Sequence, residues 1–149
     1  MRILLVISSI GMLTTFFSCK KDSVDSLFLE YFQVNDQKVS NFESVSAAPT
    51  DQVKISFAVD ANRLHVGDET LAECTLSYSI DNEQGEVVIQ LDSSDPHTFL
   101  GGYYLQLDNL VKNSQPYVCS GGETLTVDLF VKTNSGDSLS YSVTIDVTP

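Results

Sequence analysis

From residue 27 onward the chain alternates apolar and polar residues with a period of two, the mark of strands that bury one face. The clearest pair lies near the C-terminus. Leu125, Val127, Leu129 and Val131 alternate with Thr124, Thr126, Asp128, Phe130 and Lys132. Beyond Asn134-Ser135-Gly136-Asp137, Leu139, Tyr141, Val143, Ile145 and Val147 alternate with Ser140, Ser142, Thr144 and Asp146. This predicts an antiparallel hairpin with one solvated face, on which Phe130 is the apolar exception.

Earlier segments repeat the pattern over shorter spans. Val53, Ile55, Phe57 and Val59 share one strand face, and Ala72, Cys74, Leu76, Tyr78 and Ile80 another. Val87, Ile89 and Leu91 follow an expected turn at Asn82-Glu83-Gln84-Gly85, and Tyr103, Leu105 and Leu107 form a further strand. Leu27 to Val34 reads as the first strand, with apolar residues on both faces. Gly101-Gly102 marks a bulge or bend. No stretch has a sustained helical period; Leu107 to Asn113 has room for one short turn, and Asn62 to Glu69 reads as a loop. About seven strands in one all-β unit over residues 27–149 predict an antiparallel two-sheet sandwich, with a small closed barrel as the alternative.

The first residues follow a different rule. Arg2 precedes an apolar run from Ile3 to Phe17, which ends at Ser18-Cys19-Lys20-Lys21-Asp22. A membrane-spanning helix needs about twenty apolar residues, so this run fits the core of a secretory signal instead. A small residue before Cys at the end of such a run resembles a bacterial lipoprotein signal of the Bacteroidota type. The resemblance implies cleavage after residue 18, acylation of Cys19 by palmitate-class chains, and a tether over residues 19–26. Several acyl chains on one Cys suffice for stable attachment. Lys20 stands where an Asp would resemble an inner-membrane retention signal, so the outer membrane is the expected address, with the domain facing the periplasm or the cell surface. Phe16 and Phe17 depart from the usual Leu and Ser or Ala.

With Cys19 lipidated, Cys74 and Cys119 remain. An exported domain meets an oxidising compartment, which makes the two a disulfide candidate; two separate buried thiols are the alternative. Tyr117 stands two residues before Cys119, after the Leu-rich segment 105–110. That resembles the corner before the second Cys of an immunoglobulin-like or fibronectin-type sandwich. The chain has no Trp to pack on a disulfide.

Composition narrows the functional classes. Twenty Asp+Glu against eight Lys+Arg give a net charge of -12, and residues 1–18 contribute only Arg2, so the remainder is one unit more acidic. This acidity argues against a nucleic-acid partner, because a phosphate-binding face must supply Lys and Arg. Hydrophobic residues make up 42% of the chain, enough for a core and too many for an acidic disordered tail.

Catalytic motifs are lacking. His65 and His97 are the only histidines, both in polar segments. No zinc-protease, nucleophile-elbow or phosphate-loop motif occurs. Asp60, Asn62, Asp68 and Glu69 form a candidate site for Ca²⁺, as do Asp81, Asn82, Glu83 and Glu86, since Ca²⁺ takes six to eight oxygens; charged turn residues that keep the surface solvated are the alternative. Tyr103, Tyr104 and Phe130 are candidate aromatic platforms for a glycan. The expectation is a non-catalytic envelope lipoprotein that binds or supports a protein partner. A carbohydrate-binding accessory lipoprotein and a small carboxylate-dependent hydrolase are the rivals.

Overall fold

A computed structural model describes residues 27–62, 69–92 and 97–149. The expected signal peptide, Cys19 and the expected tether therefore lie outside the described residues. Eleven strands and no helix occur in the described chain. They are β1 (Phe28–Val34), β2 (Gln37–Lys38), β3 (Ser44–Ala47), β4 (Gln52–Asp60), β5 (Leu71–Ile80) and β6 (Glu83–Asp92), followed by β7 (Thr98–Gln106), β8 (Leu110–Lys112), β9 (Gln115–Tyr117), β10 (Thr124–Thr133) and β11 (Ser138–Val147). Seven of them are long. One sheet has the order β2-β1-β4-β7 and the other β3-β11-β10-β5-β6, with β8-β9 as a separate hairpin. Neither sheet closes on itself, so the molecule is a sandwich and not a barrel.

The order of the long strands is immunoglobulin-like: the first, second and fifth form one sheet, and the third, fourth, sixth and seventh the other. All ladders are antiparallel except the one between β3 and β11.

Alternation builds the core as expected. Val53, Ile55, Phe57 and Val59 face Leu76, Ile80, Leu125, Val127, Leu129, Val131, Val143 and Ile145 in one buried cluster. Aromatic rings run through it in series. Tyr141 stacks on Phe32 at 5.1 Å, Phe32 on Phe57 at 6.2 Å, and Phe57 meets Phe99 at 5.6 Å. This column takes the place of the Trp and disulfide of antibody domains.

Tight turns fix the registers. Asn35-Asp36, Asp81-Asn82 and Asn113-Ser114 each have two successive positive φ angles, the type I′ geometry that matches strand twist.

Several expectations require correction. The β5–β6 turn is Asp81-Asn82, not Asn82 to Gly85, because Asn tolerates the left-handed region. Gly85 lies inside β6, where a Cβ would sit 2.3 Å from the Tyr78 carbonyl oxygen. Irregular pairing around Ser77 turns Val87 outward while Ile89 and Leu91 pack on the core. A second irregularity, at the start of β5, puts Leu71 and not Ala72 in the core.

In β1 the shift between Leu29 and Tyr31 lets both Leu29 and Phe32 reach the core. The first strand is thus two-faced in sequence but buries mainly one side. The pairing of β7 with β4 runs without a shift through Gly101-Gly102. Gly101 is there for space: a Cβ would lie 2.4 Å from Phe57 Cζ.

The Cys74–Cys119 disulfide does not form; both thiols are free and buried. Cys74 pairs with Val131 near the end of β10, whereas Cys119 precedes that strand's start. Thr124 and Val131 are separated by about 23 Å of strand, while bonded Cys residues need Cα atoms within about 7 Å. Cys74 also lies on the third long strand, not the second, so the immunoglobulin disulfide has no counterpart. Burial pushes both thiols up to about 11, which keeps them protonated and unreactive.

Candidate ligand-binding faces

The corner before β10 is built around a buried carboxylate. Glu123 Oε1 accepts from the Ser120 amide at 2.8 Å, Ser120 Oγ at 2.9 Å and Tyr117 Oη at 3.2 Å. Its Oε2 accepts from the Gly121 amide at 2.7 Å. Burial alone would raise its pKa, but these donors outweigh it and hold the carboxyl at about 2. Gly121 and Gly122 supply the positive φ angles that aim the amides inward. The Tyr117 hydroxyl thus bonds a carboxylate and not the upstream backbone expected of an immunoglobulin corner, because an ionised acceptor is the stronger partner. Every oxygen of Glu123 is occupied by its own loop, so the group is structural.

The acidic loops are likewise tied down. Asp81 accepts from the Thr124 amide and, with Glu83, neighbours Lys112 Nζ at 3.2 and 3.6 Å. Asp60 Oδ1 accepts from the Asn62 amide at 2.8 Å, and Glu69 Oε1 from the Ser135 amide at 3.0 Å. Burial raises the Glu69 pKa, but hydrogen bonds from Ser135 and Thr133 bring it below the usual range. Asp68 lies outside the described residues, and among those described no three acidic, His or Cys groups gather as a metal site. Of the Ca²⁺ candidates, Asp60 caps its own turn at Asn62, and Glu69 holds the β10–β11 turn at Ser135. His97 Nδ1 is 2.6 Å from the Glu69 carbonyl oxygen, and His65 lies outside the described residues.

The three aromatic candidates do not form one platform. Tyr103 points inward and packs on the core, while Tyr104 is 53% exposed on the outer face of the first sheet. It sits opposite Lys54, whose ammonium binds Asp36 at 2.6 Å. Phe130 belongs to the other sheet, on its outer face. Successive residues of one strand point to opposite sides, which separates Tyr103 from Tyr104; the layering of the sandwich separates both from Phe130.

Around Phe130 the structure assembles a feature that no periodicity indicated. The segment Asn41–Glu43 lies along the free part of β11. Phe42 N–H donates to Ser142 O at 2.7 Å, the Ser142 amide donates to Asn41 Oδ1 at 2.8 Å, and the Thr144 amide donates to Glu43 O at 2.9 Å. So clamped, Phe42 has φ of 63° and is 79% exposed. A bulky side chain in this region costs about 1–3 kcal/mol, and such strain concentrates at functional sites. Phe42 and Phe130, with Asn41, Asp128, Ser140 and Ser142, enclose a groove of about 310 Å³.

A second groove, of about 220 Å³, adjoins it between Ser77, Ser79, Glu86, Val87 and the same Asp128. A larger groove of about 600 Å³ lies between β1 and β11 beside Leu27, where the preceding chain joins the domain. The clue to Phe42 in the sequence was a lone Phe in the polar run Ser40-Asn41-Phe42-Glu43. No protein-family model and no curated protein matches this sequence.

Proposed function

We propose that the protein is a lipid-anchored envelope module that acts by binding, without catalysis, through the outer face of its five-stranded sheet. The observation that carries the binding role is Phe42, held outward in a strained conformation by backbone bonds that fix its position. A residue with only a packing role gains nothing from exposure at that cost. The anchor rests on Ser18-Cys19-Lys20 at the end of an apolar run too short to span a bilayer.

Two measurements test the parts separately. Wild-type protein is expected to incorporate labelled palmitate and to sediment with membranes; Cys19→Ala loses the label and becomes soluble. Equal labelling of the two removes the anchor. A photoreactive phenylalanine analogue at position 42 is expected to crosslink to an envelope component in intact cells, and the same group at exposed position 108 is not. Equal crosslinking at both positions, or none at 42, removes the binding face.

A further inference from the structure

The face that carries Phe42 has a composition that selects a class of ligand. Cross-strand pairing sets Asp128 between Ser142 and Ser77, and Phe130 between Ser140 and Thr75. One row further, Thr126 lies between Thr144 and Ser79. The floor is therefore a field of short hydroxyl side chains with Asp128 and Phe130 at its centre and a second carboxylate, Glu86, beside Val87. Asp128 lines both grooves, which together cross the sheet as a trough on either side of it. It runs from Phe42 at one edge to Val87, 51% exposed, at the other. Four strand spacings of about 4.8 Å make it about 19 Å long.

We infer that this trough binds a neutral glycan strand, with Phe42 and Phe130 stacking on sugar rings and Asp128 accepting hydrogen bonds from their hydroxyls. The inference rests on the binding role proposed above and assigns its ligand. A sugar ring presents an apolar C–H face beside a rim of hydroxyls, and the trough presents rings beside a field of donors and acceptors. Charge fits the same assignment. No Lys or Arg lines either groove. Asp128, in a chain of net charge -12, repels phosphate, sulfate and uronate groups. A peptide strand could pair with backbone only at the outer edge of β6, because β11, β10 and β5 beneath the trough already pair with one another.

The test is affinity electrophoresis of the full-length chain in nonionic detergent. The gels contain laminarin, galactomannan, hydroxyethyl cellulose or, as a polyanion, polygalacturonate. Wild type is expected to be retarded by at least one neutral polysaccharide and not by polygalacturonate. Phe130→Ala and Asp128→Asn are each expected to weaken binding about tenfold, the loss of one good contact. Phe42→Gly is expected to abolish retardation while melting at or above the wild-type temperature, since glycine adopts positive φ freely. Its thermal melt shows that the fold is intact. Tyr104→Ala, on the opposite face, is expected to bind as wild type does.

Retardation by none of the neutral polysaccharides, retardation by polygalacturonate alone, or unchanged binding by Phe42→Gly overturns the inference. If position 42 still crosslinks in cells while no neutral glycan binds, the binding face stands and only its ligand is wrong.

Discussion

Phe57→Ala is expected to lower the unfolding free energy by about 4 kcal/mol, within the range of about 3–5 kcal/mol for truncating a buried Phe. The ring is fully buried at the centre of the aromatic column, touching Phe32 on one side and Phe99 on the other. Its removal opens a cavity between the sheets and interrupts the stack. A domain of this size has a total stability of about 5–15 kcal/mol, so the loss is a large fraction of the whole. Gly101 supplies the control. A Cβ there would be 2.4 Å from Phe57 Cζ, so Gly101→Ala alone is expected to cost about 2 kcal/mol by overpacking. In the Phe57→Ala background the same change is expected to cost markedly less, because the Phe57 contacts are gone and the Phe99 ring, 2.8 Å from the added Cβ, can shift into the space the ring has vacated. Urea unfolding of the four proteins measures the coupling. Strict additivity of the two single changes would rule out the proposed dependence of Phe57 on Gly101.

Glu123→Gln is expected to cost about 3 kcal/mol at neutral pH and to flatten the acid limb of the stability curve. The folded carboxyl sits at about 2, against an ordinary value of 4.5. Each pKa unit corresponds to about 1.4 kcal/mol, which gives a contribution of about 3 kcal/mol. The shift is downward, so this contribution is complete above pH 4.5 and is lost as pH falls through about 2. Glutamine keeps the shape but places an amide NH₂ where an oxygen accepted from Ser120 or Gly121, and a hydrogen bond to a charged acceptor is worth about 1.5–3 kcal/mol. Chemical denaturation of both proteins between pH 5 and 2 reads the difference. Parallel loss of stability in wild type and Glu123→Gln over that interval would falsify the role assigned to the carboxylate.

Residues that obey the period of two were legible in the sequence. β4, β10 and β11 emerge with the expected faces, and the all-β sandwich follows from them. Misreadings cluster where an extra residue enters a ladder. The irregularities in β1, β5 and β6 each shift the inward set by one position, which reversed Ala72 and Leu71 and turned Val87 outward. Alternation carries no mark of such an insertion. β3 and the β8–β9 hairpin escaped notice because four and three residues are too few to show a period, and Pro116 masks the last of these strands. Of the candidate site, Phe130 was visible as a break in a polar face. Its neighbours Phe42 and Asp128 were not, because one comes from a loop that pairs with β11 across about a hundred residues and the other reads as an ordinary solvated position. Glu123 was hidden for a related reason: a carboxylate after Ser120-Gly121-Gly122 looks like any polar turn until the amides are seen to converge on it.

The parallel ladder between β3 and β11 has a mechanical meaning. β1 and β3 belong to different sheets, so a pull on the chain ahead of Leu27 reaches the second sheet through residues that cross between the layers. Where β3 meets β11, Ser44 to Ala47 run alongside Thr144 to Val147 in the same direction. Drawing the start of β3 away from the end of β11 slides the two strands lengthwise. Their hydrogen bonds then share the load together, whereas a hairpin pulled from its open end would surrender them one at a time. Tension between the chain ahead of β3 and the C-terminal end of β11 therefore falls where the strands resist shear.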